Sequence, residues 1–278
     1  MAEVSTPGPV ASGRGAAAPG HGERVLRQLD YWVTVYKRTW RASIASSFLA
    51  PLFYVVAMGV LLGGFVDAGG AALEGAPSYL AFIAPGLVAA HAMQTAVGET
   101  MYPVLGAIKW NKTYLGMVAT PLTPADVVAA HLGFVVFRVA TACGAFLLVL
   151  SLFGLFVSVP GVLVAFLVQL LIGLAFGTPL YAYSAGLSDP TPFAVIFRVL
   201  IMPLFLFSGA FFPISNLPDG IEWLAWVSPL WHGVDLTRML TLGTLDVPLA
   251  LVHVGYLGVL AAGGWWWSVR RLTRRLLS

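Results

Sequence analysis

The sequence predicts an all-α integral membrane protein with six transmembrane helices. Three observations carry this. Apolar stretches long enough to cross a bilayer recur between short polar turns. Only 10% of the 278 residues are charged and 59% are hydrophobic, with a mean hydropathy of +0.86, whereas a soluble domain carries about 25% charged residues. The basic residues also gather in alternate connections, as expected where positive charge orients helices in a membrane. The net charge of +3 therefore implies no nucleic-acid partner.

Residues 1–22 are rich in Gly, Ala and Pro and are expected to be a disordered tail without the apolar core of a signal peptide. Residues 23–42 read as an interfacial amphipathic helix. Leu26, Leu29, Trp32, Val33 and Tyr36 recur at helical spacing, and Arg27, Lys37, Arg38 and Arg41 lie mainly off that stripe. Residues 43–278 form the membrane domain, with spans expected at about 43–66, 79–105, 127–157, 162–187, 193–212 and 247–267. Gly59 and Gly63, and later Gly173 and Gly177, stand four apart, a spacing that permits close helix contact and more often serves internal packing than a dimer seam. The single cysteine, Cys143, can form no intrachain disulfide.

Asp67 and Glu74 lie in a connection without Lys or Arg, which suits the outer face. Glu99 falls near the inner end of the second span. Arg138 falls well inside the third, where a guanidinium costs about 2.5–3.5 kcal/mol unless it finds acceptors. His131 lies seven residues before it, on nearly the same helix face. These three are candidates for a buried polar pair or for a translocation path, and the residues alone leave both open. Pro160 and Gly161 are expected to turn the chain outside. Ser188 to Pro192 make a short inner turn.

From Pro213 to Leu242 the chain is broken by Pro213, Pro218 and Pro229, and its aromatic segment from Ile221 to Trp231 is too short to span. It reads as two short re-entrant helices capping the outer exit, with Trp223, Trp226 and Trp231 at the headgroup boundary. Arg270, Arg271, Arg274 and Arg275 follow the last span. All Lys and Arg except Arg138 and Arg238 lie in the two flanks, the central loop or at Arg198. Six spans with both termini cytoplasmic in the plasma (inner) membrane satisfy this pattern, and seven would not.

The central polar break, Gly106 to Asp126, contains Lys109, Trp110, Asn111, Lys112, Thr113 and Tyr114 between long apolar runs. Its lysines place it in the cytoplasm, as a contact element on which a soluble partner could push. The chain cannot power itself. A phosphate loop needs Gly-Lys followed by Ser or Thr, and the three lysines follow Tyr36, Ile108 and Asn111. The chain also lacks a zinc spacing and a nucleophile elbow, so it is expected not to be an enzyme and to hold no cofactor or metal.

The run Met202-Pro203-Leu204-Phe205-Leu206-Phe207-Ser208-Gly209-Ala210-Phe211-Phe212-Pro213, with Leu217-Pro218, Pro229-Leu230, Asp235-Leu236 and Arg238 after it, resembles the signature of ABC-2 type transporter permeases. The nodulation-factor (lipooligosaccharide) exporter branch is the most similar. Lys112-Thr113-Tyr114 and Ala119-Thr120-Pro121-Leu122 also fit that family's loop between its second and third spans. The resemblance covers about Glu23 to Ser278. It implies a homodimer or heterodimer of permeases, each bound to a cytoplasmic ATPase that holds ATP and Mg, with Gly106 to Ala119 as the coupling helix. It implies outward movement of an amphiphile such as a lipid, a lipid-linked saccharide or a hydrophobic drug. Replacing Trp110 or Tyr114 with Ala is then expected to uncouple hydrolysis from export while leaving the fold intact. The alternative is a proton-coupled secondary transporter using Glu99, His131 and Arg138, disfavoured by the small number of spans and the lack of an internal repeat.

Overall fold

Side-chain caps set where the long helices begin. The computed structural model describes residues 20–69, 73–216, 220 and 222–277, and among them every regular element is helical. Ser78 accepts from the Ala81 amide and opens α3, Tyr79–Thr100. Thr123 and Asp126 form a reciprocal capping box ahead of α6, Pro124–Leu152. Ser158 caps α7, Val159–Ala185, and Ser228 caps α11, Pro229–Leu242. Each cap satisfies an amide that the first turn leaves without a partner. The remaining helices are α1 His21–Tyr54, α2 Gly63–Ala68, α4 Tyr102–Lys109, α5 Thr113–Val118, α8 Thr191–Ile196, α9 Met202–Leu206, α10 Glu222–Val227 and α12 Val247–Leu277.

Four helical segments among the described residues are long and apolar enough to cross a membrane: Tyr79–Lys109, Pro124–Leu152, Val159–Ala185 and Val247–Leu277. The other two expected spans fall on shorter apolar helices, Leu52–Ala68 and Thr191–Leu206. Three boundaries differ from expectation. The helix at the start begins at His21, and it runs through a π-helical stretch, Val55–Leu62, into α2 without a break. The expected boundary between residues 42 and 43 is therefore a change in side-chain chemistry with no turn, because no residue there stops the helix. The third span ends at Leu152, and Pro160 sits in the first turn of α7, where its missing N–H costs nothing. The tail expected at 1–22 lies outside the described residues up to position 19, as does Pro218 of the expected cap.

The core is built on α3, buried along most of its length, with α6, α7 and α11 packed around it through Phe82, Met93, Val135, Phe146, Ile172 and Leu230. Two close approaches explain glycines whose purpose was not legible beforehand. A Cβ at Gly86 would lie 2.6 Å from the Ala210 Cα, so the Ser208–Ala210 bend seats its backbone directly on α3. Gly264 lets α12 reach the Thr178–Pro179 backbone of α7, where Ser268 Oγ donates to the Thr178 carbonyl at 2.7 Å. Of the two G-x-x-x-G pairs, Gly59 faces Leu80, Gly173 faces Val139, and Gly177 faces Thr100 and Val135. These are internal contacts.

The fold has two chemically different ends. At one, Arg24 Nη1 donates to the Pro121 carbonyl at 2.8 Å and lies 3.7 Å from Asp126, and Arg275 reaches the Leu187 carbonyl. At the other, the Tyr79 amide donates to Asp67 at 2.8 Å, and Arg238 pairs with Glu74 at 3.1 Å. The basic connections thus share one end and the acidic connection the opposite one.

Candidate functional site

The central polar break becomes two short helices meeting at a sharp corner. Pro103 starts α4, and the Gly106 carbonyl accepts from the amides of Trp110 and Asn111 at 3.1 and 2.9 Å, which closes that helix. Lys112 then takes a left-handed conformation, φ 52° and ψ 24°, and redirects the chain into α5. The corner projects Lys109, Trp110, Asn111 and Lys112 into the surroundings, with Trp110 54% exposed. Thr113 is half-buried.

Tyr114 does the opposite. It is completely buried, so it cannot be a contact surface for a partner. The expectation that Tyr114→Ala would leave the fold intact is corrected by this burial, since the change would open a cavity under the corner. The left-handed turn at Lys112 is what rotates Tyr114 inward.

Beneath Tyr114 the structure brings together three residues singled out in the sequence. The Tyr114 hydroxyl lies 2.7 Å from His131 Nδ1, and His131 Nε2 lies 2.8 Å from the Glu99 carbonyl oxygen. A carbonyl only accepts, so Nε2 carries the proton, and Nδ1 of a neutral ring accepts the proton of Tyr114. Burial pushes the Tyr114 hydroxyl well above the usual phenol range and keeps it a donor. Glu99 continues the chain through its side chain: Arg138 Nε donates to Glu99 Oε1 at 2.8 Å. Arg138 also lies over the Tyr36 ring at 4.9 Å, and its Nη1 is buried without a partner. Trp32 packs edge-on against His131 at 4.8 Å and stacks on Phe134 at 5.4 Å.

The result is one connected path. It runs from the exposed corner through Tyr114 on α5 to His131 on α6. It then passes to Glu99 on α3 and back to Arg138 on α6, under the aromatic face of α1. Hydrogen bonds thus tie the corner to two long helices, α6 and α3. The amphipathic stripe of α1 is used only in part, because Leu26 remains 67% exposed while Gln28 is buried.

At the opposite end, the segment expected to form the cap contains two short helices, α10 and α11. Pro213 is buried, Trp223 and Trp226 are exposed, Pro229 lies in the first turn of α11, and Trp231 packs against His253 at 5.2 Å. Two arrangements there were not foreseen in the sequence, although Arg238 itself was named with the signature run. Arg238 donates to the Gly209 carbonyl at 2.7 Å and to Glu74, with its guanidinium 4.0 Å from the centre of the Phe82 ring. It pins the Ser208–Ala210 bend of the signature run. His232 and His253 share a 2.7 Å Nδ1–Nδ1 contact, His232 Nε2 meets the Trp226 carbonyl, and His253 Nε2 meets Asp235 at 3.0 Å. Only the breaks in hydropathy around Asp235 and Arg238 hinted at polar partners here.

Known proteins resemble this chain over most of its length. A model of the ABC-2 type transporter family matches residues 30–242. Nodulation protein J of Sinorhizobium fredii is 32% identical over 255 residues, covering 89% of this chain and 94% of that protein. Nodulation protein J of Rhizobium leguminosarum bv. trifolii is 31% identical over 254 residues, covering 88% and 94%. The Bradyrhizobium diazoefficiens protein of the same name is 32% identical over 256 residues, covering 88% and 94%.

Proposed function

This chain belongs to the ABC-2 type transporter family, and from that premise we propose that it is the permease subunit of an ABC exporter. It moves an amphiphile outward across the inner membrane, and a separate subunit hydrolyses the ATP and holds the Mg. The observation that carries this reading is the exposed Lys109–Lys112 corner wired through Tyr114 and His131 to the Glu99–Arg138 pair. An ATPase pressing on the corner would shift α3 and α6 together. Six spans, with Leu52–Ala68 and Thr191–Leu206 completing the bundle beside a second permease, put both termini and the corner in the cytoplasm. The α10–α11 pair then closes the outer exit. The likeness to the nodulation protein J chains and the apolar walls favour a lipid or lipid-linked saccharide over a soluble cargo.

Glu99 is held by Arg138 and its carbonyl by His131, which leaves that set poorly suited to carrying protons, so ATP-driven export is the better reading. Trp110→Ala tests it. The side chain is exposed, so stability should change by no more than about 0.5 kcal/mol. In the purified permease–ATPase complex, ATP hydrolysis should persist. In cells, the lipid species that wild type exports, identified by mass spectrometry of the medium and outer leaflet, should fall at least tenfold. Export in normal ratio to hydrolysis would sink the coupling role.

Topology has its own test. Asn111→Cys places a thiol on the exposed corner, while the native Cys143 is buried. A membrane-impermeant maleimide should label this variant in inverted vesicles and leave intact cells unlabelled. Labelling of intact cells would place the corner outside and end the proposal.

A further inference from the structure

At the basic end, the C-termini of α7 and α12 enclose a cavity of about 240 Å³ bounded by Ala185, Gly186, Arg271, Arg274 and Arg275. It exists because Gly186 has no side chain. A Cβ there would collide with the Arg271 guanidinium, which therefore lies directly on the backbone that ends α7. Arg275 Nη2 reaches the Leu187 carbonyl at 3.5 Å. The usual account of such residues is that they complement the helix end. A helix C-terminus offers about half a negative charge, however, and the guanidinium groups of both Arg271 and Arg275 border this cavity. Among the described residues, no carboxylate pairs with Arg271 or Arg275. Asp189, the acidic residue of the adjoining turn, accepts instead from the Thr191 amide at 2.9 Å. The like charges of Arg271 and Arg275, four residues apart on one helix, also oppose each other. Arg271 and Arg275 together are short of an anion.

We infer that this cavity binds the phosphate of an anionic phospholipid in the leaflet at the basic end. Planar guanidinium groups suit phosphate oxygens, which they can meet in pairs. The depth selects a lipid over a soluble anion. Trp265, Trp266 and Trp267 are exposed just ahead of the cavity, where tryptophans mark the headgroup boundary, and four residues of helix carry Arg271 only about 6 Å beyond Trp267. Basic pockets between helix ends at this level are suited to lipid headgroups. Arg270 is directed elsewhere, with its guanidinium 4.5 Å from the Trp266 ring centre, and so serves as an internal control of equal charge.

The test uses the full chain without an ATPase or a transport substrate, so its result is independent of the export reading. The purified protein is given equal phosphatidylglycerol and phosphatidylcholine, and native mass spectrometry reads the retained lipid. Wild type should retain phosphatidylglycerol selectively. Arg271→Gln and Arg275→Gln should each reduce retention about fivefold, which corresponds to about 1 kcal/mol for each basic residue near an anionic surface. Gly186→Ala, which displaces Arg271 at unchanged charge, should reduce it similarly. Arg270→Gln should stay within twofold of wild type. A drop with Arg270→Gln as large as with Arg271→Gln would overturn the site in favour of diffuse attraction. Displacement of the lipid by millimolar inorganic phosphate would reassign the cavity to a free anion. Equal retention of both lipids in wild type, with Arg271 shielded only when the ATPase is added, would reassign it to a protein contact.

Discussion

Glu99→Ala is expected to lower the unfolding free energy by about 3 kcal/mol. Arg138 would keep the Tyr36 ring beside it but lose the carboxylate of Glu99, 2.8 Å away, while its Nη1 already lacks a partner among the described residues. Removing one member of a buried ion pair costs about 3–5 kcal/mol, because the other charge stays behind uncompensated. The lower end applies because the Arg138 and Glu99 side chains are 17% and 23% exposed. In detergent-purified protein followed by tryptophan fluorescence, this shifts the thermal midpoint downward by about 6–12 °C at roughly 2–4 °C per kcal/mol. The double change Glu99→Leu with Arg138→Leu removes both charges and should recover most of the loss, since an apolar replacement of such a pair is often neutral. A double variant as unstable as Glu99→Ala alone would show that the cost lies in packing and not in the stranded charge.

Tyr114→Ala should cost about 4 kcal/mol, and Tyr114→Phe about 1–2 kcal/mol. The first deletes a fully buried aromatic ring, a class of change worth about 3–5 kcal/mol. The second keeps the ring, including its stacking on Tyr181 at 6.3 Å, and removes only the hydroxyl that serves His131 Nδ1. An acceptor left unsatisfied in the interior costs about 1–3 kcal/mol. Denaturation of the two variants side by side separates ring from hydroxyl. Equal losses would mean that the hydrogen bond, and not the filled volume, supports the corner. Because burial raises the Tyr114 pKa, the hydroxyl stays protonated up to alkaline pH, and the difference between the variants should not change between pH 6 and 8.

The contrast between Trp110 and Tyr114 shows where reading the chain alone stops. Both are aromatic residues beside lysines in a polar break, and hydropathy treats them alike. They diverge because Lys112 adopts a left-handed backbone, and nothing in residue type or spacing announces that turn. Trp110 is consequently exposed and Tyr114 buried. The same limit applies to Glu99 and Arg138. Each was recognisable as a costly charge in an apolar run, yet whether they met each other or lined a path depended on how α3 and α6 pack 39 residues apart in sequence. Arg238 stood out as an exception to the charge rule, but its role in pinning Gly209 could not be read, because the bend it holds is brought to α3 by the absent side chain of Gly86.

What the sequence by itself determined is what composition and local chemistry govern. These are the helical membrane class, the approximate position of the four long apolar helices, the break at 106–126, the gathering of basic residues at one end and the lack of a nucleotide-binding loop. Transfer of apolar residues out of water and the exclusion of charge from hydrocarbon act residue by residue, so they leave a readable pattern. Only the tertiary structure decided which polar groups satisfy one another: Tyr114 with His131, Glu99 with Arg138, and Arg238 with Gly209. Those pairings depend on helix rotation and close approach to within a hydrogen-bond length, quantities set by packing across the whole bundle and by no stretch of the chain alone.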